Sequence, residues 1–346
     1  MSADFDSNHS RRAFLGVAVL SSAAIPLSAV GGGAPSLERS TPGRKSFAVD
    51  ANRVRLFSGA VNESLKVMVV ADTHLFLDDS RGDPFQNFSG RMAGAYNRTK
   101  HFQNGSPTNP QQSFERTLTL ARKGGVDLLA MVGDIFSFPS EAAIEWVHAK
   151  LKASGVLYCY IAGNHDWHYE GMEGSEAALR AEWTAKRLHP LYQGNQPLMA
   201  SYDVKGVRFV MIDDSTYEIL PEQLAFFREQ VASGRPLVLL MHIPLYAPGR
   251  PVGFGCGHPD WGANTDKNWI VERRPKWPES GHSETTIAFR DEVFRAPNLL
   301  GVFAGHTHAL SVDGIGGIPQ VVTEANATGA YLNVDILPAA AGAAIG

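Results

Sequence analysis

The chain has 346 residues, 44% hydrophobic and 19% charged, with a formal net charge of -4. That balance excludes a low-complexity or disordered polymer, and it argues against a general nucleic-acid or membrane-surface binder, which needs a basic face. Strand-like apolar runs alternate with helical segments, so one α/β domain carrying insertions is expected.

The N-terminus reads as a targeting segment. Ser10-Arg11-Arg12-Ala13-Phe14-Leu15 is a twin-arginine signal, followed by a modestly apolar stretch from Ala13 to Val30 and small residues to Ala34. The stretch is about long enough to span a bilayer. Ser21, Ser22, Pro26 and Ser28 make it a poor permanent anchor, and no Cys lies nearby to carry a lipid. Residues 1–34 are therefore expected to be a signal peptide, with the mature protein periplasmic or secreted by way of the twin-arginine translocase. Residues 35–52 read as a polar linker, and Val54–Ser58 as an edge strand.

The next segments carry the chemistry. Lys66–Ala71, Asp127–Val132, Val156–Ala162, Leu237–Met241 and Leu299–Ala304 are apolar, β-branched runs that read as buried strands. They run directly into Asp72-Thr73-His74, Gly133-Asp134, Gly163-Asn164-His165-Asp166, His242 and Gly305-His306-Thr307-His308. Loops at the carboxyl ends of such strands converge on one crevice. Carboxylates, imidazoles and a carboxamide meeting there make a metal site, with enough groups for two ions.

Between these blocks, helices are expected at Gln111–Lys123, from Ser140 to about Ala153, at Ser175–Leu188, from Pro221 to about Ala232 and from Ser283 to about Arg295. Ser201–Val204 and Val207–Ile212 flank Lys205-Gly206 as a hairpin, and Gln320–Thr323 and Tyr331–Leu337 read as late strands. Two long segments, 78–110 and 246–282, lack regular periodicity and read as active-site covers. The tail 339–346 should fray. Cys159 reads as a buried small hydrophobe and Cys256 as a loop residue, with no reason to expect a bridge between them.

The five blocks in this order resemble the calcineurin-like metallophosphoesterases across roughly Lys66 to His308. The resemblance implies a four-layered αββα sandwich over about 53–338, with a dinuclear centre between two mixed sheets. It gives Asp72, His74 and His308 to the first metal, makes Asp134 the bridge, and gives Asn164, His242 and His306 to the second. It also implies that His165 faces substrate and that Asp166 orients it. The activity implied is hydrolysis of a small phosphate ester, by attack of a hydroxide held between two divalent ions. Imidazole-rich ligation favours Mn, Zn, Fe or Co over Mg or Ca.

Several readings stay open at this level. The ester is a diester or a monoester, roomy aromatic covers favouring the former. A non-catalytic metal-binding member of the fold, or a metal-dependent hydrolase of another bond, are the rivals. His101, His258 and His282 are substrate-contact candidates in the irregular segments, and His168 contacts substrate or makes a loop hydrogen bond. Trp261, Trp269 and Trp277 either stack on substrate or pin their own loop. Arg250, Arg273 and Arg274 either bind a second phosphate or face solvent. Ser137 stands where purple acid phosphatases carry a tyrosinate ligand, so that branch's iron–tyrosinate colour is not expected.

Overall fold

A computed structural model describes residues 45–339; the expected signal peptide, the start of the linker and the end of the tail lie outside the described residues. The rest of the linker corrects expectation. Lys45–Asp50 is strand β1, antiparallel to β2 (Arg53–Ser58), and only Phe47 and Val49 give it an apolar side to bury. That thin apolar signal is why it reads as linker. With β1 outside it and the final strand on its other side, β2 is an interior strand and not an edge.

Strand β3 (Leu65–Val70) leads into the first insertion, which is more regular than its composition suggests. It folds helix α1 (Gln86–Ala95) and a small ribbon, β4 (Thr99–Lys100) with β5 (Pro107–Thr108). No side chain caps the start of α1, and Gly90 and Gly94 interrupt it, so its period is hard to see in sequence.

Helix α2 (Pro110–Gly124) starts under an Asn109 cap and stops at left-handed Gly125. Then follow β6 (Leu128–Val132), α3 (Glu141–Ser154, capped by Ser140), β7 (Tyr158–Ile161) and α4 (Glu176–Trp183, capped by Ser175). The hairpin β8 (Met199–Val204) and β9 (Val207–Ile212) precedes α5 (Pro221–Ala232) and β10 (Leu237–Leu240). A four-residue helix α6 (Trp269–Glu272) lies in the second insertion, before α7 (Glu284–Val293) and β11 (Leu299–Ala304). The chain closes with β12 (Ser311–Ile315), unexpected from sequence, then β13 (Ile318–Val322) and β14 (Leu332–Pro338).

These strands form two mixed six-stranded sheets, ordered β1-β2-β14-β3-β6-β7 and β12-β13-β11-β10-β9-β8. Period-two burial sorts their side chains into three apolar layers. Val67, Val69, Leu128 and Ala130 pack against Val207, Phe209, Val238 and Leu240 between the sheets. The alternate residues Met68, Val70, Leu129 and Met131 pack under α2 and α3. On the far side Val210, Ile212, Leu237 and Leu239 meet Phe227 of α5 and Phe289 of α7. Helix, sheet, sheet, helix is the order expected from the resemblance.

The parallel neighbours β3, β6 and β7 end on the same edge, as do β10 and β11 of the other sheet. Among the described residues no helix is long and apolar enough to cross a membrane. Both cysteines are free and buried, Cys159 between the sheets and Cys256 in the outer layer.

The second insertion carries its own core. Trp261 and Trp277 are buried, with ring centroids 5.3 and 5.5 Å from Tyr217, so two of the three tryptophans pin the segment. Buried Asp266 accepts from Arg274 Nη1 and Nη2 at 2.9 and 3.0 Å and from the Trp277 amide at 3.0 Å. Removing one partner of a buried ion pair strands the other and costs about 3–5 kcal/mol. Asp266→Ala should therefore lower the unfolding free energy, read from a denaturant titration, by that amount. A loss under about 1 kcal/mol would make the segment a passive appendage.

Candidate metal centre

The five ligand turns meet at the adjoining strand ends. Asp72, His74 and His308 bring one ligand atom each to within 4.8 Å of one another, and so do Asp134, His242 and His306. Each trio mixes the sheets: β3 and β6 supply the carboxylates and His74, while β10 and β11 supply the other imidazoles. Asn164 joins the second trio, its Oδ1 lying 3.2 Å from His242 Nε2. Asp134 Oδ2 is also 3.2 Å from that nitrogen. In the first trio His74 Nε2 faces His308 Nε2 at 3.1 Å, and Asp72 Oδ1 lies 3.3 Å from the latter.

The turns are held in costly backbone shapes. Asp72, His74, Asp134, His306 and His308 all have positive φ, between 51° and 70°. Each such non-glycine residue costs on the order of 1–3 kcal/mol and persists only where its surroundings over-determine it. Here the turns are laced together. Asp72 and His74 donate their amides to the carbonyls of Gly133 and Asp134 at 3.0 Å, and Gly305 donates to the His242 carbonyl at 2.9 Å. The glycines allow the close approach: a Cβ at Gly163 would sit 2.2 Å from Asp134 Oδ1, and one at Gly133 2.4 Å from His242 Nδ1.

The donor set fits divalent cations. Asp72 Oδ1 is buried without a hydrogen-bond partner. Burial holds the pKa of His74 and of His306 well below the usual imidazole range, leaving neutral rings with free lone pairs. For His242, burial opposes charge, but the Asp134 carboxylate outweighs it and the ring is pushed up to about 10. His242 Nδ1 faces the Val132 carbonyl at 2.9 Å, which makes it the protonated nitrogen and leaves Nε2 for a metal. Around His306, Tyr217 Oη stands 3.5 Å from Nε2 and itself donates to the Glu272 carboxylate at 2.8 Å.

Two expectations need correction. Asp166 does not touch His165: its Oδ1 accepts from the Phe136 amide and its Oδ2 from the Gly163 amide, both at 2.8 Å. It ties the turns after β6 and β7 together. His165 instead donates its amide to Asp134 Oδ1 at 2.8 Å, and its ring stands edge-on to His74 at 5.2 Å.

The expected substrate contact of His101 also needs correction, and His168 takes the other of its two readings, a loop hydrogen bond. A cavity of about 450 Å³ opens over the centre, bordered by Asp134, His165, His306 and His308, but His101, His168, His258 and His282 do not line it. His168 Nε2 meets the Glu272 carbonyl at 3.2 Å, and burial lowers its pKa to about 4. His101 is buried against the Gly329 turn. The candidate phosphate-binding arginines are elsewhere too. Arg250 pairs with Asp313 at 2.9 Å, Arg274 is buried on Asp266, and Arg273 is exposed at the end of α6.

In their place stand residues no motif marks. Tyr96 stacks on His74 with centroids 4.2 Å apart, and its Oη lies 3.4 Å from His308 Nδ1. Arg91, Met92, Ala95 and Tyr96 share one side of α1 by their spacing, the signal that could have found them. Asn326 is buried, accepting from Thr73 Oγ1 at 3.1 Å and donating to Thr117 Oγ1 and the Ala330 carbonyl at 2.9 and 2.8 Å. It braces the first ligand turn from a loop near the end of the chain.

A two-sheet sandwich with two adjoining candidate ligand trios at its strand ends makes a candidate centre for divalent metal ions. Residues 65–310 match the family model described as calcineurin-like phosphoesterase, and the chain belongs to that family. No curated protein matches it. Among solved structures it is similar to a dimetal phosphatase from Danio rerio, at 12% identity and TM-score 0.48, covering 78% of this chain and 91% of that one. It is also similar to the purple acid phosphatase PPD1 of yellow lupin (Lupinus luteus), at 14% identity and TM-score 0.46, covering 81% of this chain and 48% of that one. A third is the phosphopantetheinyl hydrolase of Mycobacterium tuberculosis, at 13% identity and TM-score 0.36, covering 78% and 92%. As a member of this family the chain is a metal-dependent phosphoesterase.

Gly163→Ala should drive a methyl group into Asp134 and cost the protein at least one bound metal equivalent, with secondary structure retained. Elemental analysis of the reconstituted variant reads this directly. A full metal complement would show that close packing does not set the Asp134 position.

Proposed function

We propose that this protein hydrolyses phosphodiesters with two divalent transition-metal ions, Mn, Zn, Fe or Co. Asp72, His74 and His308 would hold one and Asn164, His242 and His306 the other, with Asp134 available to both. The observation that carries the reading is the pair of adjoining trios opening into one cavity. When bound, two such ions lower the pKa of water and withdraw charge from the transferring phosphoryl group.

The chain's own groups supply the rest. His165 is half-buried on the cavity wall with Nδ1 shielded from solvent, so Nε2 is the nitrogen left to give a proton to the departing oxygen. The turn anchored by Asp166 keeps the His165 amide on Asp134, coupling proton donor to ligand. Charge favours a diester over a monoester. Arg91 is the one Lys or Arg on the cavity wall among the described residues, and it is committed to Glu170, while Glu272 adds negative charge. A diester carries one negative charge where a monoester carries up to two.

The measurement is turnover of bis(p-nitrophenyl) phosphate against p-nitrophenyl phosphate after reconstitution with each metal. Diester turnover should exceed monoester turnover, and Asp134→Asn should abolish both under every metal. His165→Ala should keep both metals and lose about 10²–10⁴ in rate, most with poor leaving groups. Stoichiometric metal without turnover on any ester would favour a non-catalytic member of the family.

We further propose export through the twin-arginine translocase to the periplasm or beyond, on the strength of Arg11-Arg12 and the stretch behind them. Lysine at both positions (Arg11→Lys with Arg12→Lys) should hold the protein in the cytoplasm on fractionation. Unchanged export would assign it to another route.

A further inference from the structure

We infer that the cavity selects esters whose alcohol portion is apolar and uncharged, and that α6 at its mouth is the platform on which that portion lies. The inference rests on the phosphoesterase reading and adds the substrate class. Met92, Ala95 and Tyr96 of the first insertion line the cavity, together with Pro251, Phe254 and Val271 of the second. Beyond the candidate ligands and His165, its ionisable wall groups with charge near neutral pH are Arg91 and Glu272.

Neither is free to receive a second anion. Arg91 Nε donates to Glu170 at 2.7 Å, Nη2 donates to the same carboxylate, and Nη2 also reaches the Val271 carbonyl at 3.0 Å. The Glu170 side chain is only 1% exposed, so turning Arg91 toward a ligand would strand a buried carboxylate. Glu272 is held by Tyr217 and Arg274 and repels any further phosphate or carboxylate. Asn268 is a neutral polar group on this wall.

The mouth adds the second observation. Ile270 and Val271 are 67% and 63% exposed, more than the other large exposed hydrophobics among the described residues, and Trp269 beside them is half-buried. Val271 both lines the cavity and is exposed to solvent, so the cavity's apolar lining and the exposed apolar residues of α6 share one side chain. An alkyl or aryl group leaving phosphorus in this direction covers that surface and gains about 25 cal/mol per Å² buried.

The test uses monomethyl esters of ethyl-, hexyl- and 5-carboxypentylphosphonate, binding to the full metal-loaded protein by calorimetry and inhibiting bis(p-nitrophenyl) phosphate turnover. The hexyl compound should bind at least about ten-fold more tightly than the ethyl, and the terminal carboxylate should cancel that gain. Replacing both mouth residues (Ile270→Ser with Val271→Ser) should bring the hexyl-to-ethyl ratio below about three-fold. Both side chains are exposed, and a thermal melt checks that the variant folds. Equal binding of the three compounds, or a ratio untouched in the variant, overturns the inference. So does loss of phosphatidylcholine-vesicle binding or of self-association in the variant with the ratio intact, which would give the patch to a membrane or to a second copy. Calorimetry separates this from the parent reading: the ranking can hold without turnover, and turnover can occur without the ranking.

Discussion

Each ligand trio draws on both sheets, so the centre depends on the apolar layer that holds their faces together. Val67, Val69, Leu128 and Ala130 on one side, and Phe209, Met211, Val238 and Leu240 on the other, make up that layer. Burying each large side chain of that layer is worth about 1.5–3 kcal/mol. That reserve is what can sustain a cluster of carboxylates and neutral imidazoles whose desolvation opposes folding. A sandwich that slid by one strand would still be compact but would pair the wrong halves of each trio.

On that base the turns are fixed by short-range constraints. Five candidate ligands sit at positive φ, a conformation their side chains disfavour, and the backbone bonds between neighbouring turns hold them there. Asp166 belongs to this bracing. Its carboxylate satisfies two amides that the adjacent turns leave unpaired, despite burial and the nearby Asp134 charge, which push its pKa up to about 7. Asp214 plays the same part across the second sheet, accepting the amides of His242 and Ile243 at 3.1 Å. The aspartate beside His165 is thus a structural partner of backbone and not of the imidazole.

The two insertions differ in how they contribute. The second is anchored by Trp261, Trp277 and the Arg274–Asp266 pair, which frees α6 to present an unprotected apolar surface at the cavity mouth. The first is anchored both on the site, with Tyr96 lying flat on His74 and Arg91 bridging to Glu170 and the Val271 carbonyl, and on the body, where Phe85 stacks on Tyr169. The Arg91 strut joins the two insertions, so the width of the cavity is set jointly by both.

The local chemistry was legible in the chain alone: strand periodicity, helix starts at Ser140, Ser175 and Ser283, and ligand-type residues immediately after apolar runs. Those features depend on near neighbours, and near neighbours are what a sequence displays. Val54–Ser58 as an interior strand, the bracing role of Asp166 and the displacement of His101 from the cavity were not legible. Each is decided by partners far along the chain, as Asn326 is by Thr73 and Thr117. The residue types able to hold two cations were determined by sequence. Which of them face one another, and what surrounds the substrate, was decided only when two sheets and two insertions packed, because hydrophobic burial is non-directional and tertiary contact alone gives it an address.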